Sequence, residues 1–193
     1  KRLVLPLFIG QERDQMHPSP GMSGAYHLGI ERALDYARGA TELGVREFLV
    51  FGTASTARDN EASAASDPDS PVCTAIRELS RSFPECRFWG HVTLAHYTEH
   101  GGNCCVGNNG EIDWELTTDR FCKICATLAT SGAGIVLPFL LRPGAISSIR
   151  SYLQSNGLED TAVFSYGAKF RSSLYGPFNR STGITESSFG DLQ

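Results

Sequence analysis

The sequence predicts an α/β fold built on parallel strands, and two features carry that prediction. Short apolar runs recur along the chain at residues 3–9, 47–51, 88–94, 135–141 and 162–165. They are rich in Val, Ile, Leu and Phe, the mark of strands buried on both faces. Between them lie segments whose apolar residues step by three and four, as on one face of a helix. Strand, helix, strand repeated in this way implies right-handed βαβ units.

The helices are predicted in order. Ile30, Leu34, Ala37 and Leu43 share a face, with Gly44 where a C-terminal cap belongs. Val72, Ile76, Leu79 and Phe83 form the second stripe, with Pro71 near its start. Phe121, Ile124, Cys125 and Leu128 form the third, with Asp119 supplying favourable charge near its start. Ile146, Ile149 and Leu153 form the fourth, which ends near Asn156-Gly157. Five strands are visible. A closed barrel needs eight, in about 250 residues. The pattern therefore fits either a doubly wound sheet or the first part of a barrel.

At 193 residues, with 41% hydrophobic and 20% charged residues, the composition suits one domain spanning residues 1–193. The net charge of −4 comes with no basic run and no zinc-finger spacing, which argues against a nucleic-acid partner. No apolar run approaches membrane-spanning length. Six cysteines in a chain with this much core read as reduced thiols, and the expected compartment is the cytoplasm. Residues 3–10 faintly imitate a signal peptide, but Pro6 interrupts the run. The chain begins at Lys, which leaves an N-terminal targeting segment open.

Residues 53–70 and 101–110 are irregular and follow strands, where α/β proteins place their chemistry. The tail, 181–193, is polar and without period. Lys169 lies just past the fifth strand in Phe164-Ser165-Tyr166-Gly167-Ala168-Lys169-Phe170. Desolvation there would disfavour the ammonium and free a nucleophilic amine. On these residues alone the plainer reading is a stem packed on rings with its head in water. His91, His96, His100 and Cys104 crowd the loop after the third strand. They are weak metal candidates, because no standard ligand spacing is present, and the expectation is no metal. Cys122 and Cys125 have CxxC spacing but fall in the third helix's stripe, so buried structural thiols are expected. In Tyr175-Gly176-Pro177-Phe178-Asn179-Arg180, Gly and Pro suggest a turn, and Arg180 has the chemistry to hold a carboxylate.

Together these segments resemble the porphobilinogen synthase (5-aminolevulinate dehydratase) family over essentially the whole chain. Ser165-Tyr166-Gly167-Ala168-Lys169-Phe170 with Tyr175-Gly176-Pro177-Phe178 resembles the family's SYSAKF…YGPF segment, the most specific match. Leu5-Pro6-Leu7-Phe8 with Ser19-Pro20-Gly21, Glu42-Leu43-Gly44-Val45, Tyr97-Thr98-Glu99-His100-Gly101 and Phe189-Gly190-Asp191 are similar to further family segments. The resemblance implies TIM-barrel-like (β/α) units, here a partial barrel of about five strands. It implies a lyase of tetrapyrrole (haem) biosynthesis that condenses two 5-aminolevulinate molecules through Schiff-base lysines. Lys169 would be the first such lysine, with Tyr166, Tyr175, Phe178 and Arg180 binding a small carbonyl substrate. A homo-oligomer is also implied.

The chain departs from the family pattern at several positions. Gln193 ends it before the second family lysine, and His91 stands where the family has an aspartate. Zinc-dependent relatives carry three cysteines in the third loop. Here the first two positions are Thr93 and Ala95, and Cys104 or Cys105 is near the third. No cofactor is therefore expected, although zinc or magnesium stays open. The family's SDMMDGR segment is Phe139-Leu140-Leu141-Arg142-Pro143-Gly144-Ala145, and Asn179 replaces the arginine of YGPFR. These changes remove charge and suggest a divergent enzyme acting on a less charged substrate. The alternatives are a non-catalytic descendant acting as a binding or scaffold protein, or a repurposed cyclase of secondary metabolism.

Overall fold

The computed structural model describes residues 3–140, 142–166 and 175–182. The expected parallel strands are present as β1 (Val4–Ile9), β4 (Glu47–Gly52), β5 (Arg87–Val92), β8 (Ile135–Pro138) and β9 (Ala162–Val163). Two short strands, β2 (Met16–Pro18) and β3 (Tyr26–Leu28), form an antiparallel ribbon whose β3 runs parallel to β1. A separate two-stranded ribbon, β6 (Cys105–Val106) with β7 (Ile112–Asp113), lies in the segment after β5.

The order across the sheet is β2-β3-β1-β4-β5-β8-β9. This order resolves the choice the sequence leaves open. A doubly wound sheet reverses its order at a switch point. Here β1, β4, β5, β8 and β9 follow one another in chain order, all parallel. Successive right-handed crossovers in one direction put every crossover helix on the same face, as in a barrel wall. The result is an open, partial TIM-barrel-like sheet.

Four helices cover its outer face: α1 (Ile30–Glu42), α2 (Pro71–Ser82), α3 (Trp114–Thr130) and α4 (Ala145–Ser155). α1 buries Ile30 and the small residues Ala33, Ala37 and Ala40, which let it lie close to the sheet. Gly29 at its start is required sterically, since a Cβ there would sit 2.2 Å from the carbonyl oxygens of Arg13 and Glu12. α2 opens with Ser70, whose side chain accepts from the Cys73 N–H, followed by Pro71 in the first turn. α3 begins seven residues before the apolar stripe at Phe121 that predicts it. Asp113 caps it by accepting from the Leu116 N–H at 2.8 Å. Asp119 is therefore mid-helix, and pairs with Lys123 rather than with the helix N-terminus.

The core lies between sheet and helices. Leu7, Ile9, Phe48, Val50, Phe88, Val92 and Val136 point outward from the strands into it. They meet Ile76, Leu79, Phe121, Ile124, Leu128, Ile149 and Leu153 from the helices. Cys122 and Cys125 are buried in this layer with free thiols, and all six cysteines are free. Among the described residues, no helix is long and apolar enough to cross a membrane.

Candidate functional site

The strand residues that alternate with this core point to the concave face. Near the C-terminal ends of the strands they form a row. Phe8 pairs in register with Phe51, and His91 with Leu137. Phe8 and Phe51 stack at 5.2 Å, and the Phe51 and His91 rings are 4.6 Å apart. Tyr166, just past β9, meets His91 edge-on at 6.2 Å and Phe139 at 5.6 Å. The inner surface at the mouth is thus lined mainly by rings, and His91 is buried among them.

A fifth helix, α5 (Tyr175–Thr182), lies over this face. The sequence suggested a turn here. Pro177 is accommodated because it falls in the first helical turn, where its missing N–H costs nothing. Phe178 reaches Phe8 at 6.3 Å and Phe51 at 5.5 Å. The Ser181 and Ser19 hydroxyls hydrogen-bond to each other, and the Ala54 N–H donates to the Thr182 carbonyl. Arg180 is exposed and lies against Gly21, whose φ is +78°. A Cβ at Gly21 would stand 3.0 Å from Arg180 Nε and 3.3 Å from Pro177 Cα, so glycine permits this approach. The Ser19-Pro20-Gly21 turn and the Tyr175-Gly176-Pro177-Phe178 segment, far apart in sequence, therefore meet at one mouth.

Of the expected site residues, Tyr166 and Phe178 face this ring-lined surface and Arg180 sits at its rim. Tyr175 begins α5. Lys169 lies outside the described residues, as do Leu141 and residues 183–193.

The loops after β4 and β5 complete the mouth. The Ser55 N–H donates to the His96 carbonyl at 2.9 Å, and the Asp59 N–H to the Tyr97 carbonyl at 3.1 Å. Burial pushes the Asp59 carboxyl up. Hydrogen bonds from Ser63 and Glu61 and the charge of Arg120 outweigh it and hold the group below the usual carboxylate range. Burial lowers His100 against the opposing charge of Glu99.

Tyr97 anchors this region, its hydroxyl pushed up to about 12 by burial, with Cys73 and Asp67 adding to the rise. In the unfolded chain it ionises near pH 10. Stability from this group is therefore fully present below about pH 10 and lost as pH rises toward 12, by about 3 kcal/mol in all. Urea denaturation between pH 8 and about 11.5 should show a shallower alkaline loss for Tyr97→Phe than for the parent. Equal slopes would show that Tyr97 ionises as easily folded as unfolded.

The metal candidates do not converge. His91 lies on the concave face, whereas His96 and His100 sit in the following turn, before Cys104. Among the described residues no three His, Cys, Asp or Glu side chains are placed to hold a metal ion. The positions that carry cysteines in zinc-dependent relatives do not fit zinc. Thr93 uses its hydroxyl to donate to the Asn103 Oδ1, and Ala95 has no ligand atom. The Cys105 thiol donates to the Glu61 carbonyl, and burial pushes it up to about 11. The groove of about 780 Å³ between α3 and α4, lined by Glu115, Arg142 and Ser148, belongs to the helical layer and not to the mouth.

Comparison with known proteins agrees with this architecture. A family model described as delta-aminolevulinic acid dehydratase matches residues 1–193. A delta-aminolevulinic acid dehydratase of Candida glabrata is 35% identical over 192 residues, covering 98% of this chain and 56% of that protein. The Bos taurus protein of the same name is 32% identical over 191 residues, covering 98% of this chain and 58% of its own length. The crystal structure of the Toxoplasma gondii enzyme, solved with its reaction product porphobilinogen, superposes with a TM-score of 0.88. It is 31% identical, and the match covers 94% of this chain and 52% of that one. Open (β/α) units with a mouth at the C-terminal strand ends are part of a (β/α) barrel. The chain belongs to the delta-aminolevulinic acid dehydratase (porphobilinogen synthase) family. It spans a little over half the length of the relatives it matches.

Proposed function

We propose that the chain carries the imine-forming half of a porphobilinogen synthase-like lyase. The Lys169 amine attacks the keto carbon of an amino-ketone or related carbonyl substrate. The carbinolamine loses water to give an iminium. That cation acidifies the adjacent C–H, whose proton leaves to a base, and the enamine carbon adds to the carbonyl carbon of a second substrate molecule. The C=O π bond opens, its oxygen takes up a proton to become a hydroxyl, and the lysine iminium is regenerated for hydrolysis. Tyr166, Tyr175 and Phe178 line the substrate, and Arg180 at the rim takes a carboxylate.

The observation that carries this reading is the family match through the whole chain, including the Ser165-Tyr166-Gly167-Ala168-Lys169-Phe170 segment. The ring-lined mouth supports a substrate less charged than 5-aminolevulinate, since Leu140 is buried where an aspartate stands in the family pattern. The reaction is read as metal-independent because Thr93 and Ala95 offer no thiolate, whichever of Cys104 and Cys105 stands at the third position. Free thiols suit a reducing cytoplasm. A homo-oligomer is proposed on the family resemblance alone, and sedimentation would test it.

Borohydride reduction in the presence of 5-aminolevulinate or an uncharged methyl ketone, followed by peptide mapping, tests the imine. A label at Lys169 that disappears in Lys169→Ala is expected. Absence of label with every carbonyl compound sinks the reading. It would favour a second one prompted by the ring-filled face, a non-catalytic family descendant that binds rather than converts.

A further inference from the structure

The loop after β5 is closed by one side chain. Asn103 is buried, and its Oδ1 accepts from the Thr93 hydroxyl at 2.6 Å, the Leu94 N–H at 2.9 Å and the Ala95 N–H at 3.3 Å. A single amide oxygen thus ties the end of β5 to the chain about ten residues later. Inside this closure the Tyr97 and Thr98 N–H groups donate to the Leu94 carbonyl, and the Thr98 hydroxyl donates to the Gly102 carbonyl. On the outside, the His96 and Tyr97 carbonyls accept the Ser55 and Asp59 N–H groups of the loop after β4. An unbroken run of hydrogen bonds therefore leads from Asn103 to the neighbouring loop.

We infer that Asn103 is the positioning residue of the mouth, holding the β5 loop, and through it the β4 loop, by hydrogen bonds in place of a metal ion. The disagreement with zinc supports this. Two of the three positions that bear metal ligands in zinc-dependent relatives are here bound into this closure: the Thr93 hydroxyl donates to the Asn103 oxygen, and the Ala95 N–H is shared between that oxygen and the Thr93 Oγ1, each at 3.3 Å. Buried donors that lose their acceptor are costly, so the loop conformation depends on that oxygen.

Residue-resolved amide exchange on the full chain tests it. In Asn103→Ala the Leu94 and Ala95 amides should exchange about tenfold faster or more. Ser55 and Asp59, which do not touch Asn103, should follow. Asn103→Asp should retain protection at all four, because a carboxylate oxygen accepts the same three bonds. Thr93→Val, which removes one donor to Asn103 and the second acceptor of the Ala95 N–H but leaves the Asn103 oxygen in place, should give a smaller acceleration at 94 and 95 and covers the case in which Asn103→Ala does not fold. Dialysis of the parent protein against EDTA should leave protection unchanged. Unchanged exchange at Ser55 and Asp59 in Asn103→Ala, equal loss in Asn103→Asp, or loss on EDTA treatment would each overturn the proposal.

Discussion

Phe88→Ala is expected to lower the unfolding free energy by about 3–5 kcal/mol, a large share of the 5–15 kcal/mol typical of a domain. Phe88 is 1% exposed and stacks on Phe48, itself fully buried, with centroids 5.4 Å apart and planes 16° apart. The two rings stand side by side on β4 and β5, in register, facing the helical layer. Truncating one removes its transfer energy and leaves a cavity that the parallel strands cannot close by moving. Phe88→Leu keeps most of the volume and should cost much less. The double variant with Phe48→Ala should cost less than the two single changes added, by about 0.5–1.5 kcal/mol for the lost ring pair. Urea denaturation of the parent and the four variants measures these costs. A loss below about 1.5 kcal/mol for Phe88→Ala would mean that the site collapses or is wet, against the packing described.

The strands and helices that meet in this layer were the most legible part of the sequence. Their apolar runs and three-and-four spacing follow from burial, which composition records directly. The start of α3 was not legible, because Trp114 to Arg120 is mostly polar and the contact that buries its first turns, the Thr117 hydroxyl accepting from the Cys105 N–H, is long-range. β2 and β3 were missed as well. They are three residues each, β2 is wholly exposed, and neither gives a period. The winding was not legible either, since the direction of successive crossovers is a property of strand pairing and not of any segment.

The site divides in the same way. Phe8, Phe51 and His91 were each visible as strand residues, yet their row depends on register between separate strands. Tyr166, Phe178 and Arg180 were found through resemblance to family motifs, not through their chemistry. Asn103 went unnoticed because an asparagine in a segment rich in Gly and Asn reads as a turn residue. Its partners lie eight to ten residues away, at the end of a strand.

Phe51 connects the two halves of the site, and Phe51→Ala should have a second effect beyond stability. The ring stacks on Phe8 at 5.2 Å, faces His91 at 4.6 Å and takes the edge of Phe178 at 5.5 Å. Its loss should cost about 3–5 kcal/mol, as for any buried phenylalanine. Among the described residues, Phe178, the Ser19–Ser181 and Ala54–Thr182 hydrogen bonds and the close approach of Gly21 tie α5 down. Eight residues are too few to hold a helix without tertiary contact. The helix should therefore open locally at a lower free energy than the sheet beneath it. In Phe51→Ala, amide protection and protease resistance across 175–182 should fall before the β4 and β5 amides lose protection. Phe51→Leu, which keeps an apolar contact under Phe178, should restore most of both. If α5 stays equally protected in Phe51→Ala, the helix is held by contacts other than this ring. The concave face would then not be what positions the Tyr175-Gly176-Pro177-Phe178 segment over the mouth.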